Sequence, residues 1–114
     1  MVMGMMITTH PRSDRTPGYL LTRLRASDPQ SAREISKRLE ATAGAAVSEP
    51  GHISYEVFVV ADDPTTFYVS ETWASAEDAT RHIELVQRTG SVEAIASLLA
   101  ESLHPLTLVP VIAS

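Results

Sequence analysis

Two strand-like runs, HISYEVFVV from His52 to Val60 and TTFYVSET from Thr65 to Thr72, flank the turn cluster Asp62-Asp63-Pro64. Runs of this kind separated by a short turn close as an antiparallel hairpin. Side chains alternate between the two faces of a strand. On the first run Tyr55, Val57 and Val59 share one face, and Phe58 and Val60 with Ser54 and Glu56 the other. The second run divides into Phe67, Val69, Glu71 and Trp73 on one face and Tyr68, Ser70 and Thr72 on the other. Both faces keep apolar or aromatic area, so the hairpin needs cover on each side. Helices supply one layer, and a second copy of the sheet is the economical source of the other.

The flanking sequence supplies the helices. Tyr19 to Arg25 reads as a strand that places Leu20, Thr22 and Leu24 on one face. Asp28-Pro29 opens a helix, with Asp at the cap and Pro where no N–H is lost; Ser31 and Glu34 allow a start one turn later. Ile35, Leu39, Ala43 and Ala46 form its buried stripe, and Pro50 ends it near Ser48. Gly51 turns the chain into the hairpin. Ser75, with Asp78, caps a second helix with Ala79, Ile83 and Val86 inward, stopped by Thr89-Gly90. Ser91 opens a shorter helix bearing Val92, Ile95, Leu98, Leu99 and Leu103. Pro105 breaks it, and Leu106 to Ile112 is the last strand, kept to an edge or a bulge by Pro110. The order β-α-β-β-α-(α)-β predicts an α+β, ferredoxin-like split βαβ fold, its antiparallel sheet covered by helices on one face. Residues 19–114 form this domain.

Residues 1–18 read as a flexible leader, with Met3 to Thr8 as an optional extra strand. The opening apolar run is too short for a membrane span and lacks the basic start of a secretory signal, so a cytoplasmic protein is expected. The chain has 9 basic and 14 acidic residues, a net charge of -5 and no cysteine. No basic cluster stands ready for a nucleic acid backbone. Disulfides, thiolate nucleophiles and Cys-ligated zinc are excluded. His10, His52, His82 and His104 show no metal-ligand spacing, and the 5 glycines are too scattered for a phosphate loop.

The chemistry-bearing stretch runs from Glu49 to His82. Glu71 and Trp73 share a strand face, and His82 lies beside the buried stripe of the next helix. An aromatic ring, a carboxylate and an imidazole are thereby drawn together between sheet and helix. Each residue also has a plain structural use. Trp73 suits core packing, Glu71 suits an arginine such as Arg81, and His82 suits a satisfied interior histidine.

The combination Glu49-Pro50-Gly51, Tyr55, Phe67, Glu71, Trp73, Ser75 and His82 resembles the antibiotic biosynthesis monooxygenase family over roughly residues 19–111. The resemblance implies a dimeric α+β barrel with a pocket in each subunit between sheet and helices. It further implies oxygenation of a small quinol or a phenolic, polyketide-like aromatic by dioxygen, without flavin, metal or other cofactor. In that reading His82, Trp73 and Glu71 are catalytic: the imidazole takes the phenolic proton, the indole walls the ring and the carboxylate orients the imidazole. Tyr55, Tyr68, Phe67 and Val69 are expected to bind the substrate. Val69 stands where the family's best-understood oxygenases carry a polar amide. Thr89 to Val92 lacks the histidine of the heme-degrading branch. A dimeric ligand-binding or stress-response module without turnover is the alternative use of the same pocket.

Overall fold

The computed structural model of the chain describes residues 16–112. The leader reading, with its strand option over Met3 to Thr8, falls on residues outside these except for its last three positions. The elements are β1 (Gly18–Arg25), α1 (Pro29–Ala46), β2 (His52–Val60), β3 (Asp63–Trp73), α2 (Ala76–Arg88), α3 (Ser91–Ala96) and β4 (Leu106–Leu108). The four strands form one antiparallel sheet in the order β2-β3-β1-β4. This is the α+β, ferredoxin-like split βαβ arrangement expected from the element order.

Local chemistry sets the boundaries. The Asp28 carboxylate accepts the Ser31 N–H at 2.7 Å, and Pro29 follows it, so α1 starts at the earlier of the two candidate sites. It ends at Ala46, two residues short of the expected stop. There Ser48 and Glu49 turn their N–H groups back to the carbonyls of Ala45 and Ala46, ahead of Pro50. β3 begins at Asp63, because the Asp63 carboxylate accepts the Thr65 N–H at 3.1 Å and the Thr65 and Thr66 hydroxyls at 2.7 and 2.6 Å. The Ser75 hydroxyl accepts the Asp78 N–H at 3.1 Å and caps α2. β4 stops at Leu108, not Ile112: Pro110 has no N–H to add to a ladder, and Val109, Val111 and Ile112 are exposed.

The register places Leu20, Glu71 and Tyr55 side by side, then Thr22, Val69 and Val57, then Leu24, Phe67 and Val59, all on the face that the helices pack against, although Val57 and Val59 on the edge strand stay exposed. Two clusters fill the space beneath the helices. One gathers Leu24, Ile35, Leu39, Phe67, Val69 and Ile95; the other gathers Leu20, Ala46, Trp73 and Ala79. Tyr55 packs against both. The chain beyond α3 is tied to the end of β1 by Ala100 N–H to Arg25 O at 2.7 Å and Ser27 N–H to Leu98 O at 3.0 Å. Among the described residues, none covers the opposite sheet face. Tyr19, Leu21, Phe58, Tyr68, Leu106 and Leu108 lie on it, and Phe58, Leu106 and Leu108 are exposed. The pairing of β2 with β3 shifts register between His52 and Ser54 and again between Val59 and Val60.

The turn into β2 is held by a close approach. Gly51 adopts φ 80°, and a Cβ added there would collide with the Asp78 side chain at the start of α2. Only a residue without a side chain fits both constraints. The turn carrying Glu49 is thereby set against the helix that carries His82.

Candidate active site

His82 is delivered by the second turn of α2, and its side chain is 3% exposed. A half-open imidazole would find water for both ring nitrogens; this one finds carboxylates. Nδ1 lies 2.8 Å from Glu49 Oε1, and Nε2 lies 3.6 Å from Glu71 Oε1. An Nδ1–H donated to Glu49 leaves Nε2 with the basic lone pair. Glu71 accepts the Trp73 indole N–H at 3.0 Å. The Trp73 ring stacks on the His82 ring at 4.8 Å and 27°, and His52 meets its edge at 5.8 Å. Tyr55 approaches His82 edge-on at 5.7 Å.

The electrostatics follow from burial. Desolvation pushes the Glu71 carboxyl above its usual range; the Trp73 N–H and His82 oppose the rise, and the negative Glu49 adds to it. Burial also drives the Tyr55 phenol well above its ordinary value, with Glu71 and Glu49 adding their charge. Tyr55 therefore stays protonated near neutrality. Its hydroxyl has no hydrogen-bond partner among the described residues, which leaves it able to donate to a ligand oxygen. The three groups Glu49, His82 and Glu71 form a site that can take up and return one proton.

His82 and Glu71 line a cavity of about 190 Å³, with Glu49 behind the imidazole. Its floor is the sheet, through Leu20, Thr22, Leu24, Tyr55, Val69 and Glu71. Its roof is Leu39 and Thr42 of α1, His82, Ile83, Val86 and Gln87 of α2, and Ser91, Val92 and Ile95 of α3, with Leu103 and Pro105 closing one side. The sequence-derived residues thus divide. Glu71, Trp73 and His82 come together as one cluster. Tyr55, Val69, Glu71 and His82 line the cavity. Trp73 does not: it is 0% exposed and sits behind Glu71 and His82. Phe67 is packed in the core beneath α1, and Tyr68 lies on the opposite sheet face, as its even position on β3 requires. Arg81 pairs with Asp78, so the arginine offered as a partner for Glu71 is engaged elsewhere.

The sequence marks Glu49 only as part of the Glu49-Pro50-Gly51 turn and assigns it no role at the site. It lies in a turn, 33 residues from His82 along the chain. The signal that points to it is the Pro50-Gly51 pair fixing that turn. Among the described residues, no group of three His, Asp or Glu side chains is arranged to hold a metal ion, and no helix is long and apolar enough to cross a membrane.

Solved structures share this architecture. Rv0793 from Mycobacterium tuberculosis superposes with a TM-score of 0.76 at 18% identity, covering 87% of this chain and 99% of that one. PA3566 from Pseudomonas aeruginosa gives 0.69 at 22% identity, covering 87% and 98%. A variant of SnoaB, a cofactor-independent oxygenase from Streptomyces nogalater, gives 0.73 at 11% identity, covering 85% and 95%. At these identities the likeness speaks for the fold. Among curated proteins, none matches the sequence. The sequence pattern of one family, described as antibiotic biosynthesis monooxygenase, matches residues 17–87. With more than half of the chain matched, and with the fold in agreement, the protein belongs to the antibiotic biosynthesis monooxygenase family.

Proposed function

We propose that the chain is a monooxygenase of a small phenol or quinol that draws all its electrons from the substrate and needs no cofactor. The observation that carries this reading is the His82 imidazole held between Glu49 and Glu71 at the wall of a mainly apolar cavity. The fold shared with a cofactor-independent oxygenase agrees with it.

The residues suit the chemistry as follows. His82 Nε2 takes the phenolic proton, and Glu49 stabilises the resulting imidazolium through Nδ1. The phenolate ring gives one electron to dioxygen, and the radical pair joins as a carbon–oxygen bond. The peroxide anion recovers the proton from His82. The base then removes the hydrogen on that ring carbon, the O–O bond breaks, and hydroxide leaves to become water with the proton from His82. One oxygen atom ends as a ring carbonyl and the other as water, so a phenol becomes a quinone and a hydroquinone a hydroxyquinone. Tyr55, kept protonated, donates to a ring oxygen, and the aliphatic lining excludes bulk water. Trp73 acts from behind, holding Glu71 and the imidazole plane in place rather than touching the ring.

The working unit in this proposal is a cytoplasmic homodimer whose uncovered sheet faces pack together, since that face carries exposed Phe58, Leu106 and Leu108. The test of the activity is oxygen uptake by metal-stripped, flavin-free protein with a panel of phenols and hydroquinones, with products analysed after ¹⁸O₂ labelling. Uptake that is lost in His82→Ala, with one labelled atom in the quinone, is expected. Uptake no faster than autoxidation refutes the oxygenase; ligand-dependent change in the emission of the single tryptophan would then favour the binding module.

A further inference from the structure

The cavity's shape and lining narrow the ligand. An aliphatic-lined cavity of roughly 150 Å³ holds one benzene ring, and this one measures about 190 Å³. One ring fits with space left for a few carbons; the cavity is half open, so three fused rings would leave much of their surface in solvent. The space is also polarised along β1. Glu71 and Tyr55 share the level of Leu20 in the register, with His82 beside them. Leu24 lies four residues further, a distance of roughly 13 Å at 3.3 Å per residue, and the lining there is Leu24, Ile95 and Leu103. Ring surfaces for stacking occur at the polar end, as Tyr55 and His82. Trp73 and Phe67, which would wall a broad polycycle, are absent from the lining.

We infer that the cavity selects a single-ring phenol or hydroquinone bearing a short alkyl chain, with its hydroxyl toward His82 and Glu71 and its chain running along β1 toward Ile95. The assignment of the hydroxyl end rests on the proposed oxygenase chemistry; the size and polarity of the ligand do not.

Anaerobic titration calorimetry with phenol, 4-ethylphenol, 4-propylphenol, 4-hexylphenol and the three-ring 2-anthrol reads the inference without turnover. Affinity should rise about fourfold per buried methylene, so 4-propylphenol should bind on the order of fiftyfold more tightly than phenol. The gain should cease by 4-hexylphenol, and 2-anthrol should bind more weakly than 4-propylphenol. An affinity independent of chain length, or 2-anthrol binding as tightly as 4-propylphenol, overturns the inference. Ile95→Phe fills the far end and should bring the propyl-to-phenol affinity ratio toward one; Leu103→Phe serves the same purpose if that variant does not fold. An unchanged ratio in a folded variant overturns the assignment of the chain to this end. A protein that follows the alkyl series yet consumes no oxygen keeps this inference and loses the oxygenase; one that oxygenates three-ring hydroquinones does the reverse.

Discussion

Replacing Trp73 by phenylalanine tests the central cluster, because it removes one hydrogen bond while keeping an aromatic ring. The indole N–H donates to Glu71 at 3.0 Å, and the ring is 0% exposed. A hydrogen bond to a charged acceptor contributes about 1.5–3 kcal/mol. Truncation of a buried tryptophan to alanine costs about 3–5 kcal/mol, which bounds the packing loss from above. Trp73→Phe should therefore cost about 2–4 kcal/mol, combining the lost bond with a small unfilled volume. Urea unfolding followed by far-ultraviolet circular dichroism measures it, at one protein concentration because association shifts apparent stability. Glu71→Gln closes a double-mutant cycle. The amide oxygen still accepts the indole N–H, so the coupling isolates the charge and should be about 1 kcal/mol near pH 8. A Trp73→Phe cost below about 0.5 kcal/mol, the level of a neutral surface change, would refute the argument. So would a cost that is identical in both Glu71 backgrounds.

Gly51→Ala should cost about 1–3 kcal/mol, read as a lowered urea midpoint, since it forces a side chain onto a left-handed residue already in contact with Asp78. Stability should fall as pH rises from 4.5 through the folded value of the Glu71 carboxyl, because burial raises that value and the folded state holds the proton longer. Glu71→Gln should flatten this limb in a series of unfolding curves. On the acid side the sign reverses: hydrogen bonds hold the Asp28, Asp63 and Asp78 carboxyls low, so stability present above 3.8 should be lost as pH falls through their folded values. Phe58→Glu and Leu106→Glu alter residues exposed in the single chain, so each should leave the fold intact while converting a sedimenting dimer to monomer. A wild-type monomer at micromolar concentration would refute the paired-sheet assembly.

The hairpin and both main helices are legible in the sequence because their signals are local. Alternation fixes β2 and β3, and Asp28-Pro29 and Ser75 announce α1 and α2 through groups within one turn. The end of β4 is less so, since Leu106 to Ile112 is apolar throughout and only Pro110 marks the break. The site is legible where strand parity and helix face act together, as for Glu71, Trp73 and His82. Parity also separates Tyr68 from Glu71 before any tertiary fact is known. The role of Glu49 is not legible, because a turn residue gains its partner only when Gly51 docks on α2. Nor does a pattern of apolar residues distinguish a wall from filling: Val69 lines the cavity, while Phe67, two residues earlier on the same face, is core.

The two edges of the sheet bear on how this chain avoids its own kind of misassembly. β2 exposes Ile53, Val57, Phe58 and Val59 beside a row of outward backbone groups, a composition that invites strand addition and fibril growth. The register shifts near both of its ends interrupt the regular spacing that an incoming strand would have to match. At the other edge, β4 offers three residues between Pro105 and Pro110. The long, sticky edge is thus broken in register near both ends and the other edge is too short to template a cross-β ladder, so restoring regular pairing at Ile53 should raise the tendency of β2 to add strands.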